Sequence, residues 1–180
     1  MSKIIDAYPD LEVRGISPLH SKVHSGFMWA VRALLEAVAA TTTKYFTFVT
    51  PAGFDVHCRI GIDASLPVKF AWYEAASGIS GGSAYSPWKY RRLGATPDAS
   101  PPMTGAADAT VTTPGTALFT DKVLGAGNPV GNGAITFLAD EEEIILAPSK
   151  TYVLGVTTGA AITDIRVLVD FYIKKALLTN

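Results

Sequence analysis

The residues of this 180-residue chain whose types could do chemistry are few: three histidines, one cysteine, and the carboxylate run Asp140–Glu143. His20 and His24 are spaced i, i+4, which on one helix face would suit a metal ion. Pro18 and Ser25-Gly26 oppose a continuous helix there, and no third ligand stands nearby. Calcium loops alternate oxygen donors with small spacers and a glycine, which the contiguous Asp140-Glu141-Glu142-Glu143 does not, and it reads as a charged turn before a strand. The glycine-rich run Gly125–Gly133 lacks the Lys-Ser/Thr ending of a phosphate loop, and strand-like sequence follows it where a helix would be needed. Cys58 alternates in phase with Phe54, Val56 and Ile60, so it reads as a core thiol, and a lone cysteine forms no internal disulfide. No serine sits in a nucleophile-elbow context. An enzyme built on Glu74 or Glu141–Glu143 has no assembled acid–base pair in the sequence, so the expectation is a non-enzymatic protein with no metal and no cofactor.

A second group of residues suits recognition better than reaction. Within Pro67–Arg92, Val68, Phe70, Trp72 and Glu74 alternate as one face of a strand. Glu74, at the end of that apolar face, requires a partner or a rim position. Turn residues Gly78, Gly81 and Gly82 follow, and then an aromatic and basic segment. Tyr85, Trp88, Lys89, Tyr90, Arg91 and Arg92 are the candidates for contact with a partner, because Trp, Tyr and Arg are the types enriched at interface hot spots. A glycan platform at Trp88 and Tyr90 is the alternative use.

The elements that must position these residues read as strands. Tyr45–Thr50 and Phe54–Ile62 are dense in aromatic and β-branched residues, and the Pro51-Ala52-Gly53 turn between them predicts a hairpin. Further strands are expected at Pro67–Ala75, Thr116–Leu124, Ala134–Ala139, Ile144–Ala147, Thr151–Thr157 and Ile162–Ile173. Gly26–Ala40 is ambiguous: its composition favours helix, whereas the β-rich remainder favours strand over Phe27–Leu34. Gly94–Pro114, poor in large apolar residues, reads as a long surface loop with a short strand at Ala109–Thr113. The result is eight to ten antiparallel strands, at most one short helix, and a β-sandwich. Its domain spans 25–174, between an extended N-terminal arm at 1–24 and a C-terminal tail at 175–180. Phe48, Val56, Phe70, Trp72, Val167, Val169 and Phe171 are expected in its core.

Composition bounds the partners. With 48% hydrophobic and 17% charged residues the chain is apolar, which favours extensive contact with itself or with other proteins. A formal net charge of −1 gives no general attraction to nucleic acid or to an anionic membrane. The most apolar window, Gly26–Ala40, is broken by Arg32 and Glu36 and is too short to span a bilayer. The first fifteen residues lack the apolar run of a signal peptide, so folding in a cytoplasm is expected.

Short landmarks recur through the chain: His24-Ser25-Gly26-Phe27, Thr50-Pro51, Tyr73-Glu74, Gly81-Gly82-Ser83, Arg91 or Arg92, and Gly115-Thr116. The glycine-rich run, Glu142-Glu143-Ile144-Ile145-Leu146, Thr151-Tyr152 and Phe171-Tyr172 complete the series. In this order they resemble a family of small virion structural proteins of tailed bacteriophages, the capsid decoration or cement proteins. The resemblance implies a sandwich of jelly-roll type and a place on the capsid surface of a virion assembled in a bacterial cytoplasm. It implies two partners, the major capsid protein and the chain itself as a homodimer or homotrimer. Pro87-Trp88-Lys89-Tyr90 stands where the family often carries asparagines.

Overall fold

A computed structural model describes residues 28–89, 102–123, 136–137 and 143–175. The arm at 1–24, His20, His24, Tyr90, Arg91, Arg92, the run Gly125–Gly133 and the tail after Lys175 lie outside the described residues. The described residues contain strands and no helix. The strands in chain order are β1 (Trp29–Val38), β2 (Thr43–Val49), β3 (Phe54–Ala64), β4 (Val68–Glu74), β5 (Ser77–Ser80), β6 (Ser83–Ala84) and β7 (Trp88–Lys89). They continue with β8 (Thr104–Thr113), β9 (Thr116–Val123), β10 (Thr136–Phe137), β11 (Ile144–Leu146), β12 (Thr151–Thr158) and β13 (Thr163–Lys175).

Two antiparallel sheets pack face to face as a β-sandwich. Sheet I runs β10-β3-β13-β1-β7, with β11 also on β3; sheet II runs β5-β8-β2-β12-β4-β9, with β6 also on β8. Alternation explains the layering. Val56, Cys58, Ile60 and Ile62 of β3 and Ile165, Val167, Val169 and Phe171 of β13 point inward from sheet I. Phe46 and Phe48 of β2, Phe70 and Trp72 of β4, and Leu154 and Val156 of β12 meet them from sheet II. Within that core Phe48 stacks between Trp72 and Tyr85, at ring-centroid distances of 5.3 Å and 5.5 Å, and Trp72 continues the stack onto Tyr152 at 6.1 Å.

One ambiguous reading resolves as strand and two local readings change. The ambiguous stretch is the strand β1, whose pairing with β13 from Trp29↔Phe171 to Leu35↔Ile165 overrides the helix propensity of its alanines and leucines. β2 and β3 are not a hairpin: β2 pairs with β8 and β12, β3 with β13, and the Pro51-Ala52-Gly53 turn carries the chain from one sheet to the other. Half of the expected loop at Gly94–Pro114 is the ten-residue strand β8, paired with β2. Its small residues are a packing requirement, since a Cβ at Gly105 would collide with the Thr47 carbonyl oxygen.

Candidate contact surfaces

Three of the short landmarks converge at one end of the sandwich. The Tyr152 hydroxyl accepts the Ala147 N–H at 2.9 Å and lies 3.4 Å from Glu74 Oε1, which supplies the partner that Glu74 needs at the end of its apolar face. Thr50 Oγ1 donates to the Ala147 carbonyl at 2.7 Å and accepts the Lys150 N–H at 2.9 Å. Thr50, Glu74, Ala147, Lys150 and Tyr152 therefore form one hydrogen-bonded network that ties together the β2–β3 turn, the end of β4 and the β11–β12 turn. Their work is structural.

A second convergence lies on the outer face of sheet I. β3 and β13 present Asp55, His57, Arg59, Gly61 and Asp63 beside Lys174, Tyr172, Asp170, Leu168 and Arg166 in register. His57 Nδ1 is 2.8 Å from Glu143 Oε2, and the imidazole stacks on the Tyr172 ring at 4.8 Å. Burial raises the Tyr172 hydroxyl pKa, and the Glu143 carboxylate raises it further by hydrogen bond and charge, while Arg59 opposes them. Cys58 is raised as well, by burial first and then by the Glu143 charge. His57 and Cys58 are neighbours in sequence but face opposite sides of β3, so the thiol is a core group and the imidazole cannot activate it. Of the run Asp140–Glu143, only Glu143 lies in the described region. Sequence reading treats it as a turn charge; its link to His57, 86 residues away, is tertiary. Among the described residues no three His, Cys, Asp or Glu side chains gather as metal ligands.

The same face carries a hollow of about 360 Å³ where Gly61 has no side chain, walled by Arg32, Leu34, Asp63, Arg166 and Leu168. Arg166 Nη1 lies 3.7 Å from Asp63 Oδ2. At its border stands Trp88, paired with Ala30 through the short β7 and 38% exposed, with the Arg32 guanidinium 5.2 Å from its ring centroid. Lys89 points the other way and places Nζ 5.1 Å from the Trp29 ring centroid, at the border of the core.

Tyr85, a candidate contact residue, is partly buried. Its ring packs on Phe48, and among the described residues its hydroxyl has no hydrogen-bond partner. It turns inward because β6 ties this segment to β8 and the Tyr85 N–H donates to the Gly105 carbonyl at 3.0 Å. The aromatic ring then covers the space above the side-chain-free Gly105. Burial pushes the Tyr85 hydroxyl pKa up.

Sheet II has an outer hollow of its own, about 600 Å³, that sequence reading missed. Tyr45 of β2 and Tyr73 of β4 converge over Gly155 of β12, where an added Cβ would lie 3.1 Å from Tyr45 Cε1 and 3.3 Å from Tyr73 Cε2. Thr43, Thr157, Lys69 and Thr120 surround them. The available signal was Gly155 itself, since a glycine inside a strand marks a close approach. Comparison of the chain with protein-family models, curated proteins and solved structures gives no match.

Proposed function

We propose that this chain is a non-enzymatic structural protein of a bacteriophage virion that decorates and cements the capsid surface, bound to the major capsid protein and to copies of itself. The observation that carries the reading is the strand order. Leaving aside β10 and the inserted segment β5–β8, eight strands remain: β1, β2, β3, β4, β9, β11, β12 and β13. Counted one to eight, they lie as 1-8-3-6 in one sheet and 2-7-4-5 in the other. We read this order as the two-sheet Greek key of a jelly roll, the architecture the family resemblance implies. The landmarks that carry the resemblance support it too. Thr50, Glu74 and Tyr152 meet in one network and Glu143 and Tyr172 in another, so they act as fold-defining contacts.

A decoration protein works by contact, and exposed apolar side chains supply the means: Leu34 and Trp88 on the outer face of sheet I, Ile145 on β11 and Ile162 before β13. Symmetry on a shell repeats such a contact many times, so modest affinity becomes strong attachment. The test is co-sedimentation of the purified protein with expanded shells of the major capsid protein encoded beside it. Stoichiometric binding is expected. The absence of a capsid gene in its neighbourhood, or failure to sediment with the shell, overturns the reading.

The hollow of sheet II supports a second reading, a binding module for glycan on a head or tail fibre. Paired tyrosine faces ringed by threonine hydroxyls offer both stacking and hydrogen bonds to a sugar. Glycan-array binding lost in Tyr45→Ala and Tyr73→Ala is the expected result there, and no binding by the unmodified protein removes it.

A further inference from the structure

We infer that β1 pairs with β1 of a second copy, antiparallel about a two-fold axis at Leu34, joining two sheets I into one continuous sheet. This rests on the self-association included in the proposed function and names the surface that carries it.

Among the described residues β1 is an edge strand over most of its length. On one side it pairs with β13; on the other, β7 reaches only Trp29 and Ala30, and among the described residues no strand pairs with that side beyond Ala30. Residues 83–85 are held to β8 of sheet II, so Ser86-Pro87 cross between the sheets and do not run along β1. An open edge of this length is a template for another strand. Of the devices that commonly block such an edge, Arg32–Glu36 carries no proline and no lysine, and its two charges, Arg32 and Glu36, are of opposite sign. It instead presents Leu34, 54% exposed, at its centre.

The charges select the partner. Arg32, Leu34 and Glu36 alternate on the outer face, all exposed. In a two-fold antiparallel pair centred on Leu34, Leu34 meets its own copy and Arg32 lies opposite the partner's Glu36, twice over. Centring on Arg32 or Glu36 would oppose like charges; centring on Ala33 or Leu35 would set each charge against an apolar residue. Only one register satisfies both charges, which is the signature of a designed self-pairing and not of a merely unprotected edge. Arg32 is already oriented for it. Its guanidinium face lies over Trp88, and the edge of a stacked guanidinium remains able to hold a carboxylate. The pairing segment is Arg32–Glu36: in this register Val38 would fall opposite the partner's Ala30, a place that Trp88 of β7 holds, and the β-bulge before Val38 bends the strand there.

The test uses the purified chain alone, with no shell present, so that its failure and failure of the capsid reading are separable. Sedimentation equilibrium should give a dimer. Arg32→Glu or Glu36→Arg should each weaken it roughly ten-fold, since each change places two like-charge pairs across the axis. The double variant Arg32→Glu/Glu36→Arg should restore it to near the original affinity. Leu34→Cys should form an intermolecular disulfide under a mild oxidant, because directly opposed Cα atoms of antiparallel strands lie about 4.5–5.5 Å apart, within disulfide reach. Leu168→Cys, one strand further in on the same face, should not cross-link, and buried Cys58 provides no competing thiol. A monomer at all concentrations, no cross-link at Leu34→Cys, or a double charge variant no better than the singles would each overturn the proposal.

Discussion

Two tyrosines packed in one aromatic stack give a prediction in which the same atom is removed with opposite results. Tyr152 uses its hydroxyl: it accepts the Ala147 N–H at 2.9 Å and reaches Glu74. Tyr85 does not: its hydroxyl is buried and has no partner among the described residues. Tyr152→Phe therefore leaves a partly buried N–H without its acceptor, at a cost of about 1–3 kcal/mol. Tyr85→Phe removes a polar group whose burial is uncompensated, so the protein should gain about 1 kcal/mol. For a chain of this size, each kcal/mol moves Tm by about 2–4 °C. Tyr152→Phe should melt several degrees below the parent, and Tyr85→Phe a few degrees above it. The two variants remove the same oxygen from the unfolded chain, so the difference between them reports the folded state alone. The assay is urea unfolding followed by tryptophan fluorescence, checked by calorimetry. Equal destabilisation by the two substitutions would refute the reasoning, since it would mean that the Tyr85 hydroxyl is hydrogen-bonded in the folded protein.

Phe48→Ala, at the middle of the stack, should cost about 3–5 kcal/mol in the same urea assay, and a loss under about 1 kcal/mol would show that the stack does not organise the core. Gly105→Ala should be destabilising by about 1–3 kcal/mol, because the new methyl must displace the Thr47 carbonyl and the Tyr85 ring; a neutral melting temperature would contradict the packing of β8 on β2. Stability should fall as pH rises above about 9. Burial raises the Tyr85 hydroxyl and the Cys58 thiol, so the unfolded chain ionises first and binds fewer protons, with a slope of up to about 1.4 kcal/mol per pH unit for each group. Melting temperatures between pH 7 and 11 check this, and Tyr85→Phe should flatten the decline. Glu143→Gln should lower the Tyr172 pKa by removing the charge and hydrogen bond that help hold its proton, read as an earlier rise in absorbance near 295 nm; an unchanged titration would dissolve the cluster.

Strands whose faces differ sharply in polarity were legible in the sequence. β13 alternates Ile165, Val167, Val169 and Phe171 with charged and amphipathic residues, and β4 alternates Val68, Phe70 and Trp72, so period two alone places them. β1 is harder because Ala30, Ala33, Leu34 and Leu35 are good helix formers, and its strand state is decided by β13, more than a hundred residues later. β8 was nearly invisible. Its sequence TGAADATVTT has loop composition, yet Ala107 and Ala109 are small because they are buried close against β2. The Pro51–Gly53 turn could not be read as an inter-sheet link, since a hairpin and a sheet switch need the same turn residues. What distinguishes them is the burial of Phe46 and Phe48 from one side of the core and of Val56 and Cys58 from the other. The surfaces were legible only in part. Trp88 stood out by residue type, whereas the pairing of Tyr45 with Tyr73 over Gly155 and of Glu143 with His57 exists only once four strands are in register.

The position of β13 sets a timetable for this molecule. β13 lies between β1 and β3, so neither of those strands has its main neighbour until Thr163–Lys175, more than a hundred residues after β1, are made. At ribosomal speeds that interval is on the order of ten seconds, during which the β13 side of β1 stays open. Sheet I closes in a single late event that joins the beginning of the described chain to its end. A nascent chain stalled before Thr163 would leave β1 and β3 without the neighbour they share, with edges open to aggregation, so the arrival of β13 decides whether sheet I forms.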